Sequence, residues 1–210
     1  MIKSRSNLKE LRSNYRHLKF DIRNRLKDFS RVPLSEYFYE LVYCLLTPQS
    51  SAVNADKVIT ILKDKKFKLR DIDPEPILKR KDCYIRFHNN KSKYLITVKD
   101  QFPLIAEQLN DRLTSEELRL WLVKNVKGLG WKEASHFLRN IGHRNLAILD
   151  RHILRNLVRL GVLRDLPKTL TAKNYLQIEG KFRKFSKRIG IPMDELDLLF
   201  WSMETGEILK

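Results

Sequence analysis

Lys132 and Asp150 are the two side chains of this sequence whose types and setting could do chemistry. Lys132 comes two positions after Lys127-Gly128-Leu129-Gly130, a turn too short to be a loop. An amine there falls in the first turn of a helix, where the helix dipole disfavours a cation. It is either an exposed, slightly unfavourable surface lysine or an amine whose charge its setting disfavours. Asp150 follows the apolar run Ala147-Ile148-Leu149, which would order its approach. One reading makes it the N-cap of a helix over Arg151–Leu160, because aspartate oxygens accept from first-turn N–H groups. The other makes it a catalytic carboxylate. Taken singly, each residue fits the surface or capping role better, since those roles are far commoner.

The turn before Lys132 must position it. Leu118, Leu122 and Val126 precede the turn at helical spacing, and Ala134, Phe137, Leu138 and Ile141 follow it. Gly128 and Gly130 permit positive φ and let another backbone come close. The N–H groups and positive dipole end of the second helix suit a phosphate. The pattern predicts a helix–hairpin–helix over about 114–140, with Lys127, Gly128, Leu129 and Gly130 holding a nucleic-acid backbone without reading sequence.

Composition agrees with that partner. The 210 residues carry 42 Lys and Arg against 25 Asp and Glu, a net charge of +17, which favours a polyanion. No apolar run approaches membrane length, and Met1–Leu8 lacks a signal-peptide segment. The expectation is an intracellular protein with no membrane partner. Cys44 and Cys83 read as two reduced thiols, too few for a four-cysteine iron–sulfur cluster.

Around the hairpin the periodicity is helical and strand signals are nearly absent, so the fold class is all-α. Leu8 to Phe29 reads as one long amphipathic helix with Lys9, Arg12, Arg16, Lys19, Arg23 and Lys27 on its outer face. Ser35 is the expected cap of a second helix running through Thr47. Leu45-Leu46-Thr47-Pro48-Gln49-Ser50-Ser51 makes a sharp turn into a helix over Ala52–Leu62, with Ser51 an available cap. Asp73-Pro74-Glu75 starts another helix, and helix resumes from Lys91 after a polar, basic turn that holds Phe87. Phe87 could simply anchor that turn in the core. Thr114-Ser115-Glu116-Glu117 has capping-box spacing. In the last helix Trp201 lies off the apolar stripe of Leu196, Leu199, Phe200 and Met203, and so needs a partner.

KGLGWKEASHFLRNIG followed by LAILDRHILR resembles the second-class, archaeal-type 8-oxoguanine DNA glycosylases of the helix–hairpin–helix/Gly-Pro-Asp superfamily. The likeness extends through Leu45–Gln49, Arg86–Tyr94 and Leu196–Lys210. It implies that Lys132 is the nucleophile and Asp150 the catalytic carboxylate. It further implies that Phe87, Trp201 and the C-terminal Lys210 recognise the base, and that Gln49 inserts from the minor groove. The implied architecture is two helical lobes with an active-site cleft between them, one from 1–50 plus 151–210 and one from 51–150.

The implied activity is removal of 8-oxoguanine from double-stranded DNA through a lysine Schiff base, then strand cleavage by β-elimination. A prokaryotic, monomeric enzyme of the cytoplasm or nucleoid is expected. It would need no metal and no cofactor, although hairpin carbonyls could hold a monovalent cation. Two rivals remain at this stage. One is a non-enzymatic helix–hairpin–helix DNA-binding protein, in which Lys132 touches phosphate and Asp150 is a cap. The other is a glycosylase for a different oxidised base.

Overall fold

The computed structural model describes residues 2–208, with side chains from residue 6 onward. Lys210, expected to recognise the base, lies outside the described residues. Among those residues the fold is all-α: ten helices, two short 3-10 turns and no strand. They form two compact units, Met1–Arg31 with Gly142–Lys210, and Val32–Ile141.

In the Val32–Ile141 unit the central element is α2 (Tyr37–Leu46), where Phe38, Leu41, Val42, Tyr43, Cys44, Leu45 and Leu46 are all buried. A helix apolar on every side must be wrapped by others. Here α3 (Ala52–Asp64), α5 (His88–Asn110) and α7 (Trp131–Asn140) wrap it. Phe38 meets Phe102 of α5 edge-on, ring centroids 5.2 Å apart. The short α4 (Glu75–Leu78) starts as expected, with Asp73 Oδ1 accepting from the Glu75 N–H at 2.9 Å. α6 (Ser115–Asn125) opens with the expected capping box between Thr114 and Glu117. Ser35 does not cap α2; it lies inside a 3-10 turn over Leu34–Glu36, and Glu36 precedes α2 without a capping side chain.

In the other unit α1 (Ile2–Phe29) packs on α10 (Met193–Thr205), which also carries α8 (Arg151–Arg159) and α9 (Ala172–Ile189). Tyr15 and Arg23 of α1 both bind the buried carboxylate of Glu195, Arg23 at 3.1 Å. Burial and the Glu195 charge push the Tyr15 phenol up to about 12. Phe182 of α9 stacks on Phe200 of α10 at 5.8 Å. Left-handed Gly190 and Gly206 end α9 and α10.

The division between units falls at 31/32 and 141/142, where 50/51 and 150/151 were expected. α2 belongs with the helices that bury it. Residues 145–149 belong with α9 and α10, whose side chains take their backbone hydrogen bonds.

Candidate active site

The hairpin occupies the link from α6 to α7. Leu129 is buried, and its N–H returns to the Val126 carbonyl at 3.2 Å, so this residue anchors the turn from inside. Lys127, Gly128 and Gly130 face solvent. Gly128 has φ +93°, and a Cβ there would stand 2.6 Å from Cδ2 of Tyr94 on α5. Glycine is thus required twice over, by backbone angle and by the ring beneath it. Gly130 differs from expectation: its φ of −89° is ordinary extended backbone, and it serves as the N-cap of α7. It has no side chain to offer the first-turn N–H groups, whereas Glu133 Oε2 accepts from the Gly130 N–H at 3.2 Å. Behind the turn, buried Arg119 of α6 lies 5.0 Å from the Trp131 ring and donates to Ser135 Oγ at 3.2 Å, fixing α6 against α7.

Gly128→Val is therefore expected to weaken binding to all duplexes, damaged or not, by about tenfold, as follows from backbone strain of roughly 1–3 kcal/mol. Gly130→Ala should do far less, because its Cβ would meet only the movable end of Glu133. Fluorescence anisotropy with lesion-bearing and intact duplexes checks both; a loss confined to damaged DNA would contradict the expectation.

Lys132 stands in the first turn of α7, its side chain 30% exposed and its Nζ 3.1 Å from Glu133 Oε1. One carboxylate thus holds the hairpin N–H with one oxygen and the amine with the other. Gln49 and Phe87 lie in the same unit, each exposed at a turn and each with positive φ, +55° and +61°. Phe87 lines an open groove of about 390 Å³ with Arg86, Tyr84 and His88, and the Arg86 guanidinium backs its ring at 4.9 Å. α5 begins at His88, three residues before the expected Lys91. Lys91 itself is buried. Burial and the charge of Lys132 push its ammonium down to about 8, against the pull of Glu133.

Asp150 lies in the other unit, and the chain leading to it is tightly held. The Ala147 N–H donates to Glu179 Oε1 at 2.7 Å, and the Leu149 N–H donates to the Tyr175 hydroxyl at 3.2 Å. Leu146, Ala147, Ile148 and Leu149 are all buried. Asp150 then caps α8, its Oδ1 accepting from the Ile153 N–H at 2.8 Å. Its second oxygen is also engaged: the Trp201 indole N–H donates to Oδ2 at 2.8 Å. That is the partner Trp201 needed. His152 meets the Trp201 ring edge-on at 5.4 Å and faces Glu204 at 3.6 Å.

Trp201→Phe keeps a ring but removes the N–H from a carboxylate. Hydrogen bonds to charged groups contribute roughly 1.5–3 kcal/mol, less where water can substitute. A fall of several degrees in thermal midpoint is expected. An unchanged midpoint would mean that this bond contributes nothing to stability.

The structure joins Asp150 to Trp201, and the hairpin to Lys132. Lys132 belongs to one unit and Asp150 to the other. Sequence reasoning missed Glu133, His152 and Lys91. Only Lys91 left a signal, since it stands on the apolar stripe of Leu95, Val98, Phe102 and Ile105, where a lysine needs a reason. Among the described residues no group of three or more His, Cys, Asp or Glu is placed to hold a metal ion, and no helix is long and apolar enough to cross a membrane.

A family model described as 8-oxoguanine DNA glycosylase matches residues 22–191. A Fusobacterium nucleatum protein named 8-oxoguanine DNA glycosylase/AP lyase is 44% identical, with 96% of each chain covered. One of the same name from Korarchaeum cryptofilum is 40% identical over 90% of each chain. The crystal structure of Methanocaldococcus jannaschii 8-oxoguanine glycosylase/lyase in complex with a 15mer DNA containing 8-oxoguanine is similar with a TM-score of 0.86. It is 31% identical, over 97% of this chain and 99% of that one.

Proposed function

This chain belongs to the 8-oxoguanine DNA glycosylase family, and we infer from that membership that it excises 8-oxoguanine from duplex DNA and cleaves the strand at the resulting site. The observation that carries the reading is the amine of Lys132, partly exposed in the first turn of α7 directly behind the glycine hairpin.

A damaged base inside a duplex is out of reach, so the nucleotide must be rotated out of the stack. Lys127, Gly128 and Gly130, with Leu129 as their internal anchor, hold the backbone. Gln49 fills the vacancy left by the base. Phe87 and Trp201 stack on the extruded purine, and Lys210 supports its recognition.

The neutral amine of Lys132 attacks the sugar C1′, the bond from C1′ to the base breaks, and the base leaves with a proton. Asp150 stabilises the positive charge that develops on the sugar. Sugar ring opening, with the proton going to the ring oxygen, leaves a Schiff base. The imine acidifies C2′; loss of that proton expels the 3′ phosphate and cuts the strand. No cofactor enters these steps. The hairpin carbonyls remain a candidate seat for a monovalent cation. We take the protein to act as a monomer on the DNA of a prokaryotic cell.

Borohydride trapping tests the reading. Duplexes carrying a single 8-oxoguanine, a single oxidised pyrimidine or no lesion are incubated with the protein and reduced. A covalent adduct and strand scission on the 8-oxoguanine duplex are expected. An adduct only with the pyrimidine lesion would change the substrate, and binding without any adduct would favour the non-enzymatic DNA-binding reading.

A further inference from the structure

Lys91 takes no part in the chemistry above, yet it is one of the few charged side chains buried to 5% exposure. Its Nζ donates to the Leu46 carbonyl at 2.6 Å, the Pro48 carbonyl at 2.7 Å and Ser50 Oγ at 3.1 Å. Those three acceptors enclose Gln49. Ser50 Oγ also accepts from the Arg86 N–H at 3.0 Å, and Asn54 Nδ2 donates to the Tyr84 carbonyl at 3.1 Å. The turn holding Gln49 is in this way tied to the turn holding Phe87. The Lys91 N–H itself returns to the Phe87 carbonyl at 3.0 Å.

Both turns are strained. Gln49 has φ +55° and Phe87 φ +61°, a region that side chains rarely adopt and that is a clear outlier for a residue as bulky as phenylalanine. Such conformations persist only where the surroundings over-determine them, and they gather at functional sites. Lys91 supplies that surrounding. An apolar residue would fill its place on the α5 stripe without desolvating a charge. The ammonium closes the C-terminal end of α2, where carbonyls lack helical partners and the dipole favours a cation. Burial still drags its pKa down to about 8, so the interaction is kept at a cost.

We propose that Lys91 is a positioning residue that clamps the Gln49 turn to the Phe87 turn, so that one filler of the vacated stack and one face of the base pocket are presented together. This rests on the functional reading above. The clamp serves lesion capture: with the base already gone its pocket half has no task, and no base has to be driven from the stack.

The test separates those stages in the full-length protein. Lys91→Met and, as a milder cut, Ser50→Ala are compared with the unaltered protein under single-turnover conditions at saturating enzyme. One duplex carries 8-oxoguanine and another a preformed abasic site. For Lys91→Met, excision should fall by roughly 10- to 100-fold, the scale of an ångström-sized misplacement. Abasic-site cleavage should stay within about threefold. Ser50→Ala should shift the ratio of the two rates in the same direction by less. Equal losses on both substrates would overturn the proposal, because Lys91 would then serve the Lys132 chemistry or the fold at large. No change in the ratio for either variant would overturn it too. Should Lys91→Met fail to fold, the Ser50→Ala ratio decides. Failure of the functional reading itself shows separately, as an unaltered protein that does not excise 8-oxoguanine.

Discussion

Lys132→Gln is expected to form no borohydride-trapped adduct and to cleave neither 8-oxoguanine nor abasic-site duplexes. Deleting a covalent nucleophile removes the route itself, so the loss should reach at least about 10³-fold and fall below detection in a gel assay. Little else should change. The Lys132 side chain is partly exposed, and its ion pair with Glu133 at 3.1 Å is the kind of surface contact that contributes at most about 1 kcal/mol. A glutamine amide can still donate to Glu133. The carboxylate then keeps its second task, accepting from the Gly130 N–H, and the hairpin holds its shape. Duplex affinity should therefore remain within about threefold in an anisotropy titration, since the backbone contacts are retained. An adduct of normal yield in this variant would remove Lys132 from the mechanism.

What could be read ahead of the structure follows from the range of each interaction. The helices with a one-sided apolar stripe were legible, as was the Thr114–Glu117 capping box, because these depend on neighbours within a turn or two. The hairpin was legible as a motif, but its two glycines are not equivalent. Gly128 is demanded by the Tyr94 ring, a contact between α5 and the turn that no local pattern encodes. Ser35 looked like a cap, yet the chain tightens into a 3-10 turn there and enters α2 without one. The unit boundary moved because α2 is apolar on every side, which says that it must be buried but not by which helices. Phe87 is half exposed beside an open groove, so the reading of it as a simple core anchor does not hold. Asp150 does cap α8 through one oxygen, while its other oxygen takes the Trp201 indole N–H, a contact across 51 positions that no local pattern encodes.

That geometry sets how the role of Asp150 must be tested. Asparagine ranks with aspartate as an N-cap, so Asp150→Asn alone would look like a clean removal of charge. It is not clean here, because Asp150 accepts from two N–H groups, Ile153 on Oδ1 and Trp201 on Oδ2, each at 2.8 Å. An amide has one acceptor oxygen, so one of those donors must face an NH₂ group. The expected cost is about 1–3 kcal/mol, the penalty for leaving a partly buried donor unpaired. A slow, destabilised Asp150→Asn would therefore decide nothing. In a Trp201→Phe background the second donor is gone, and asparagine can turn its oxygen to Ile153 and keep the cap in full. Trp201→Phe/Asp150→Asn should then melt within about 0.5 kcal/mol of Trp201→Phe, the scatter expected between two equivalent caps. Its single-turnover excision of 8-oxoguanine should nevertheless be slower than that of Trp201→Phe by on the order of 10²–10³, the usual loss when a group facing developing charge is neutralised. Any stacking lost with the indole is common to both proteins and cancels in the ratio. If the two excise at rates within a few-fold while Trp201→Phe/Asp150→Ala unfolds early, Asp150 is a cap and nothing more, and the charge on the sugar must be met by another group.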